Sequence, residues 1–342
     1  MVFRTVNLLK ILEISILLMA VLAGSIVVSL FVGVTDIGII RGITGLLDGW
    51  REGHTGLTQL EREIIFSIRL PRILFASIVG ASLSMAGAVF QALLRNPLAD
   101  PYILGISGGA AVGAIIGILI GAAALPLGIP GLAFLGAVLT VITVFGIART
   151  GTQLRSNTLL LAGVIVNAFF SAIIMFLIST STSSDIHNVM FWLMGDLSLA
   201  TTGEIALTGT ILLGGFAVLY AHARPMNLIV VSEETALQLG INVEKAKKIL
   251  FVAASLITGV AVSVSGIIGF VGLVIPHLMR MVFGPDHRML LPASFLFGAS
   301  FLVVADTIAR TLMAPGELPV GVITAICGAP YFIYLLRRGR GY

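Results

Sequence analysis

The chain has 342 residues, of which 58% are hydrophobic and only 11% are charged, and its formal net charge is +4. Soluble proteins have about 25% charged residues, so this composition excludes an ordinary soluble domain and favours a membrane protein. Apolar runs such as 14–31 and 296–305 do not alternate with polar residues, which excludes a transmembrane β-barrel and favours helices. The basic residues are spread over the ends of apolar runs, a topology signal and not a nucleic-acid-binding patch.

Ten apolar segments are predicted to span the membrane or, for the short eighth one, to enter it as a half-span; a full span takes about 20 residues. The segment between the fifth and sixth spans, 187–198, is amphipathic, contains Trp192 and is predicted as a helix at the outer interface. The sequence therefore predicts an all-α membrane protein with a single transmembrane domain over 1–342. The predicted spans are roughly 9–33, 70–91, 103–123, 130–149, 158–179, 203–221, 248–268, 271–283, 290–312 and 318–336.

The distribution of basic residues predicts the orientation of these spans. With both termini in the cytoplasm, most of the 20 lysines and arginines fall on the cytoplasmic side, as the positive-inside rule expects. The outer arginines are concentrated in the segment 34–72, and this concentration needs an explanation. The arginines predicted on the outer side are Arg41, Arg51, Arg62, Arg69, Arg72 and Arg310.

The sequence carries no sign of chemistry of its own. No lysine follows a glycine, so there is no P-loop for ATP, and the single cysteine and five histidines form no metal-ligand spacing. We therefore predict no catalytic residue, no metal site and no cofactor in this chain. Acidic residues are sparse inside the spans, where ion-coupled transporters usually carry them, so uphill transport would draw its energy from a partner. The alternatives to a transporter subunit that is driven by such a partner are an ion-coupled secondary transporter, an intramembrane enzyme and a scaffold protein.

The longest predicted cytoplasmic loop, 223–247, has two helix-capping signals. Ser232 is a good N-cap, and the two glutamates after it favour the positive end of a helix dipole. Gly240 is suited to end that helix, and Asn242 can cap a second one. The pattern predicts two short helices that form either a docking element for a cytoplasmic partner or an ordinary solvated connector.

Two arginines flank Pro71 where the second span begins. Arg69 and Arg72 are three residues apart, so their guanidinium groups are expected on one face of the first turn. They are either interfacial arginines or a basic contact for acidic groups on an external protein. Arg310 is a third candidate, although Asp306, four residues earlier, offers it a local ion pair. His277, in the short eighth span with Arg280, is interpreted as a structural residue and not as a metal ligand, and Arg280 is given no role.

Collinear motifs over about residues 60–338 together resemble the FecCD-type permease family of ABC importers. The match is specific because it joins many short motifs in a fixed order. The motifs are Arg69-Leu-Pro-Arg72, Gly87-Ala-Val-Phe-Gln91, Asn96-Pro-Leu-Ala-Asp-Pro101, Gly105-Ile-Ser-Gly-Gly109, Leu159-Leu-Leu-Ala-Gly163, Met194-Gly195, Ala236-Leu-Gln-Leu-Gly240, Gly269-Phe-Val-Gly-Leu-Val-Ile-Pro-His277, Asp286-His-Arg288, Ala305-Asp306, Glu317-Leu-Pro-Val-Gly321 and Gly328-Ala-Pro330.

The resemblance implies a type II ABC importer permease in a bacterial or archaeal cytoplasmic membrane. It implies a homodimer of ten-helix subunits, two cytoplasmic ATPase subunits that bind ATP and Mg, and an external substrate-binding protein. The implied cargo is a metal chelate, with a ferric siderophore or haem as first choice and cobalamin as the alternative.

The resemblance also implies roles for individual residues. The residues implied to dock the binding protein are Arg69, Arg72 and Arg310. The residues implied to form the translocation gate are Asn96, Leu98, Ser156 and Asn157. The ATPase-coupling residues implied in 232–247 are Ser232, Glu233, Glu234, Ala236, Leu237, Leu239, Gly240 and Asn242.

Overall fold

The computed structural model describes residues 7–33, 38, 57–125, 127–150, 153–198 and 200–337, and in this part of the chain the fold is a helical bundle. The long second helix is one continuous rod in which α2 leads through a π-helical turn, Ile64–Arg69, into α3. The elements are α1 Leu8–Phe31, α2 Gln59–Glu63, α3 Leu70–Leu93, α4 Ile106–Leu119, a 3₁₀ turn Ala122–Ala124, α5 Gly128–Ala148, β1 Arg149–Thr150, β2 Gln153–Leu154, α6 Ser156–Ser179, α7 Ser183–Met194, α8 Thr202–Ala221, α9 Ala223–Val231, α10 Glu233–Gln238, α11 Val243–Ser265, α12 Val271–Phe283, α13 His287–Leu312 and α14 Val320–Arg337.

The ten predicted spans correspond to ten apolar helices within the described ranges. Seven are long and apolar enough to cross a membrane, and three are shorter: α4, α12 and α14. The third span, predicted over 103–123, is a helix only over Ile106–Leu119. Its ends are set by two glycines, Gly105 and Gly121, whose φ angles are +79° and +71°, a region that glycine enters without steric cost.

The region around the predicted cytoplasmic loop differs from the prediction in two ways. The second short helix, predicted after Asn242, is not separate: Asn242 caps α11, which continues to Ser265. The prediction was wrong because a cap locates the start of a helix but not its length. The unpredicted helix α9 occupies the first part of the predicted loop, with Met226 and Ile229 buried against the bundle.

Helices α3, α11 and α13 are the most buried of the long helices, and small residues let α3 approach α12 and α13 closely. A methyl group added at Gly80 of α3 would overlap the Gly298 carbonyl of α13, and one at Gly87 would overlap the Gly272 carbonyl of α12. Ser84 Oγ donates a hydrogen bond to the Ser294 carbonyl at 2.7 Å across the same contact. These contacts make α3 a firmly held rod with one end on each side of the bundle.

The outer helices of the bundle present apolar side chains to their surroundings. On α6, Phe169, Met175 and Phe176 are among the most exposed large side chains, which suits contact with lipid.

The predicted interfacial helix begins earlier than expected, at Ser183, and ends at Met194 because Gly195 has a φ angle of +80°. The predicted helix range 187–198 therefore began and ended four residues too far along the chain. The placement of α7 in the membrane interface stays a prediction.

Candidate functional site

The three arginines that were singled out at the predicted outer side lie together. Arg69 ends the π-helical turn, Arg72 lies in the first turn of α3, and Arg310 lies in the last turn of α13. With Glu317 they line one cavity of about 300 Å³. We call these residues and Asp306 the outer arginine cluster. Arg41 and Arg51 lie outside the described residues.

Arg72 is held by two carboxylates. Its Nε lies 3.1 Å and 3.0 Å from the two carboxylate oxygens of Asp306, and its Nη2 lies 2.9 Å from Oδ1. Nη1 donates to Glu317 Oε2 at 2.7 Å. The Asp306 side chain is 1% exposed, whereas that of Glu317 is 47% exposed. Arg72 therefore has one buried partner and one partner at the surface.

The other two arginines of the cluster tie α1 to the bundle. Arg69 Nη1 donates to the Leu30 carbonyl at 2.7 Å, and Arg310 Nη2 donates to Ser29 Oγ at 2.7 Å. The local ion pair that was offered as an alternative for Arg310 exists, with Nε 3.8 Å from Asp306 Oδ2. The structure thus brings the three predicted residues together, but each is largely buried and bonded within the chain. Their role in docking stays a prediction.

The predicted coupling helix is α10, and its ends follow the capping signals. The Ser232 hydroxyl accepts a hydrogen bond from the Thr235 N–H at 3.2 Å, Gly240 has a φ angle of +81°, and Asn242 Oδ1 accepts from the Lys245 N–H at 3.0 Å. Leu237 and Leu239 are 59% and 63% exposed.

The remaining residues of the predicted coupling set have different exposures. Glu234 is exposed like the leucines, Glu233 is half-buried, and Ala236 is buried against the bundle. The helix therefore stands as a fixed knob with an exposed apolar side. We call residues 232–242 the coupling knob.

Helix α9 joins the coupling knob to the turn between α12 and α13. Asn227 Nδ2 donates to Asp286 Oδ1 at 2.7 Å, and Asn227 Oδ1 accepts from the backbone N–H of His287 at 2.9 Å. Burial acts to raise the pKa of Asp286, but hydrogen bonds from Arg288 and Asn227 and the charge of Arg288 outweigh it and hold that pKa below its ordinary value. The turn is thus anchored by an ionised carboxylate.

The predicted gate residues occupy two neighbouring segments, 93–101 and 153–158, which we call the inner gate segments. Asn96 Oδ1 accepts the Leu98 N–H at 2.9 Å, which makes a compact turn. Ser156 Oγ donates to the Leu93 carbonyl at 2.7 Å and so joins the two segments. Asn157 and Ser156 line a pocket of about 800 Å³.

The first gate segment also contains an acid without a cationic partner in the described part of the chain. Asp100 Oδ1 accepts the Tyr102 N–H at 2.9 Å. Burial raises the pKa of Asp100 to about 6, with this hydrogen bond acting in the opposite direction.

A network of charges that the sequence did not reveal connects the coupling knob with both gate segments. Glu233 Oε1 lies 3.1 Å from Arg95 Nη2 and 2.7 Å from Lys247 Nζ. Lys247 also donates to the Leu154 carbonyl at 3.3 Å, and Glu244 Oε2 accepts the Leu154 N–H at 2.9 Å. We call these contacts the inner network. No local pattern indicated them, because the partners are far apart in sequence.

The two polar residues of the short eighth span, His277 and Arg280, contact side chains of neighbouring helices. Arg280 Nη2 donates to Gln91 Oε1 at 2.8 Å, and the His277 ring lies 5.8 Å from that of Phe332. Within the described ranges, no group of three or more histidine, cysteine, aspartate or glutamate side chains is placed to hold a metal ion.

Comparisons with known proteins agree over almost the whole chain. The model of the FecCD transport family matches residues 18–338. The cobalamin import system permease protein BtuC of Halobacterium salinarum is 45% identical over 282 residues, covering 82% of this chain and 75% of that protein. The hemin transport system permease protein HmuU of Yersinia pestis is 41% identical over 296 residues, covering 84% and 87%.

A further relative and a solved structure extend the match. The vitamin B12 import system permease protein BtuC of Klebsiella pneumoniae is 44% identical over 312 residues, covering 90% of this chain and 93% of that protein. A solved inward-facing transporter, proposed to be an ABC transporter of the metal-chelate type, contains a chain that is 31% identical. That chain matches with a TM-score of 0.80 over 96% of this chain and 99% of its own length. This chain therefore belongs to the FecCD transport family of ABC importer permeases and is a multi-pass protein of the cytoplasmic membrane.

Proposed function

We propose that this chain is the translocation subunit of a binding-protein-dependent ABC importer that carries a metal chelate into the cytoplasm. It works as a homodimer with two cytoplasmic ATPase subunits, which bind ATP and Mg, and with an external substrate-binding protein. The binding protein delivers the chelate at the outer arginine cluster. ATP binding moves the coupling knob, and the inner gate segments expose the path to one side at a time.

The observation that carries this proposal is the exposed apolar side of the coupling knob. Leu237 and Leu239 are more than half exposed on a short, capped helix outside the apolar spans, next to the gate segments. Exposed leucines on a short helix that is otherwise polar are suited to insert into an apolar groove on a cytoplasmic partner. The family of the chain supports an ATPase as that partner.

The test of this docking surface is co-purification with the cognate ATPase. The double variant Leu237→Asp/Leu239→Asp is expected to lose the ATPase because it charges the apolar contact. Gln238→Asp is the control, since it adds one negative charge between the two leucines without removing an apolar side chain. An unchanged yield of complex from the double variant would contradict the proposed surface.

Docking of the binding protein is tested at Arg72. Reversing the charge of Arg69 and Arg72 together should abolish docking. Arg69 is buried and the Arg72 side chain is only 12% exposed, so the milder Arg72→Lys accompanies the double variant. Lysine keeps the charge and loses the fork that holds two carboxylates. Arg62→Glu is the control, because Arg62 is exposed and has no assigned role. Equal affinity of wild type and both variants for the binding protein would contradict the assignment.

For the cargo, the relatives support a chelate with a large ring. Two of them are named for cobalamin or vitamin B12 and one for hemin. Haem and cobalamin are therefore the first probes, and a ferric siderophore is the third. In proteoliposomes with the complete importer, one of these probes should accumulate only with ATP. Uptake that survives without ATP would contradict the proposal and favour an ion-coupled transporter.

A further inference from the structure

The inner network joins the coupling knob to the gate at one carboxylate. We propose that Glu233 is a positioning residue that transmits movement of the coupling knob to both inner gate segments, through Arg95 on the first and through Lys247 beside the second. This inference rests on the proposed function, because it assumes an ATPase that moves the knob.

The link to the first gate segment is Arg95. This residue directly precedes Asn96 and has a φ angle of +47°, a conformation that is uncommon for a residue with a Cβ atom and persists only where contacts hold it. Those contacts come from the coupling side: Nη2 lies 3.1 Å from Glu233 Oε1 and donates to the Ile229 carbonyl at 2.8 Å. The turn that carries Asn96 and Leu98 is therefore held in place by the knob and by α9.

The link to the second gate segment is Lys247. Its side chain is only 4% exposed, so its charge needs a counter-charge close by. Within the described ranges, the carboxylate at ion-pair distance is Glu233, 2.7 Å from Nζ. The same ammonium group donates to the Leu154 carbonyl at 3.3 Å, two residues before Ser156. Glu233 therefore determines where Lys247, and with it Leu154, is held.

Two further contacts make the two gate segments move together. Glu244, in the first turn of α11, accepts the Leu154 N–H at 2.9 Å, and Ser156 donates to the Leu93 carbonyl at 2.7 Å. The chain of contacts therefore runs from the knob to both segments and closes between them. A displacement of Glu233 changes the support of both segments at once.

The exposure of the pair suits a contact that rearranges during each cycle. The side chains of Glu233 and Arg95 are 34% and 40% exposed, so water can solvate each charge when the pair opens. A fully buried pair would resist opening because of the cost of leaving a charge unpaired. Lys247, which is buried, then keeps Glu233 attached to α11 while Arg95 is released.

The test measures the gate directly and needs no identified cargo. Cys327, the single cysteine of the chain, is replaced by serine, and Leu98→Cys is introduced as a reporter on the first gate segment. The complete complex with the cognate ATPase is labelled with a membrane-impermeant maleimide, with and without ATP and vanadate. The labelling rate of Cys at position 98 is expected to change several-fold between the two conditions.

Glu233→Gln should abolish this nucleotide-dependent change while the ATPase still co-purifies and still hydrolyses ATP. Arg95→Gln should have the same effect, and the double variant should be no worse than Glu233→Gln alone, because Glu233→Gln already removes the contact with Arg95. Lys245→Gln is the control: its side chain is exposed, lies outside the coupling knob and takes no part in the inner network, so this variant should label like the parent.

Three results would overturn the inference. One is an unchanged nucleotide response in Glu233→Gln. Another is a response that is absent already in the parent complex. The third is a loss of the ATPase from Glu233→Gln with no effect of Arg95→Gln, which would make Glu233 a docking residue. If no variant, the parent included, bound the ATPase, the proposed function itself would fail, and this outcome is distinct from the other three.

Discussion

The outer arginine cluster and the inner network lie at opposite ends of α3, a 24-residue helix about 36 Å long, and they differ in how their charges meet water. At the outer end the central carboxylate, Asp306, is 1% exposed and is shared by two arginines. At the inner end the central carboxylate, Glu233, is 34% exposed and is shared by an exposed arginine and a buried lysine.

The difference teaches which end is suited to be a fixed platform and which to be a moving joint. A buried, multiply bonded ion pair is hard to open, because opening it leaves desolvated charges behind. A half-exposed pair opens at little cost, because its charges can be solvated and its net stabilisation is small. We therefore expect charge removal at the outer end to affect folding first and charge removal at the inner end to affect coupling first.

The largest effect is expected from Asp306→Asn. The substitution keeps the shape of the side chain but leaves the charges of Arg72 and Arg310 without their buried partner. Loss of one member of a buried pair typically costs about 3–5 kcal/mol, and the lower end applies here because Glu317 still pairs with Arg72. The unfolding midpoint of the purified protein in detergent should fall clearly below that of wild type.

The control for this prediction is Glu233→Gln, the central carboxylate of the inner network. It should lower the midpoint less than Asp306→Asn does, because two of the three side chains in its ion pairs, Glu233 and Arg95, are partly solvated. An equal or larger loss of stability at Glu233 would remove the distinction between the two ends.

Asp100→Asn is expected to change the unfolding midpoint less than Asp306→Asn does, and in the opposite direction. Burial raises the pKa of Asp100 from an ordinary 3.8 to about 6, so the folded protein favours the neutral carboxyl. The stability from that neutral form is fully present below the ordinary pKa and is lost as the pH rises through about 6. At pH 7.5 the asparagine variant, which is always neutral, should therefore unfold at a higher temperature than wild type.

The pH dependence separates this explanation from a change in packing. The difference in unfolding midpoint between Asp100→Asn and wild type should shrink as the pH is lowered through 6 and should vanish near pH 4. A difference that is constant over this range would contradict the role of the ionised carboxylate. Glu234→Gln, at an exposed position, should show no such trend.

The smallest effect is expected from Glu317→Gln at the surface of the outer arginine cluster. Glu317 is about half exposed, and such pairs contribute roughly 0–1 kcal/mol, so the fold should be almost unaffected. The substitution frees Arg72 Nη1 for an acidic group of the binding protein and should tighten docking by up to about five-fold. A titration of the binding protein measures this, and weaker docking would show that Glu317 contributes to the contact.

The sequence by itself determined the membrane class, the ten apolar helices and the positions of the helix caps at Ser232 and Asn242. These depend on hydropathy over one helix length and on hydrogen bonds between near neighbours, which are short-range properties of the chain. The grouping of Arg69 and Arg72 followed from their three-residue spacing at the start of one helix.

Only the tertiary structure decided what these residues contact. Arg72 meets Asp306, 234 positions away, and Arg95 meets Glu233, which lies far from it in the sequence. Such pairs depend on which helices pack together, and that packing follows from close contacts such as Gly80 with Gly298 and Gly87 with Gly272. Long-range electrostatic partners have no signature in local sequence, because the charge of a side chain does not indicate which distant charge the packed bundle brings beside it.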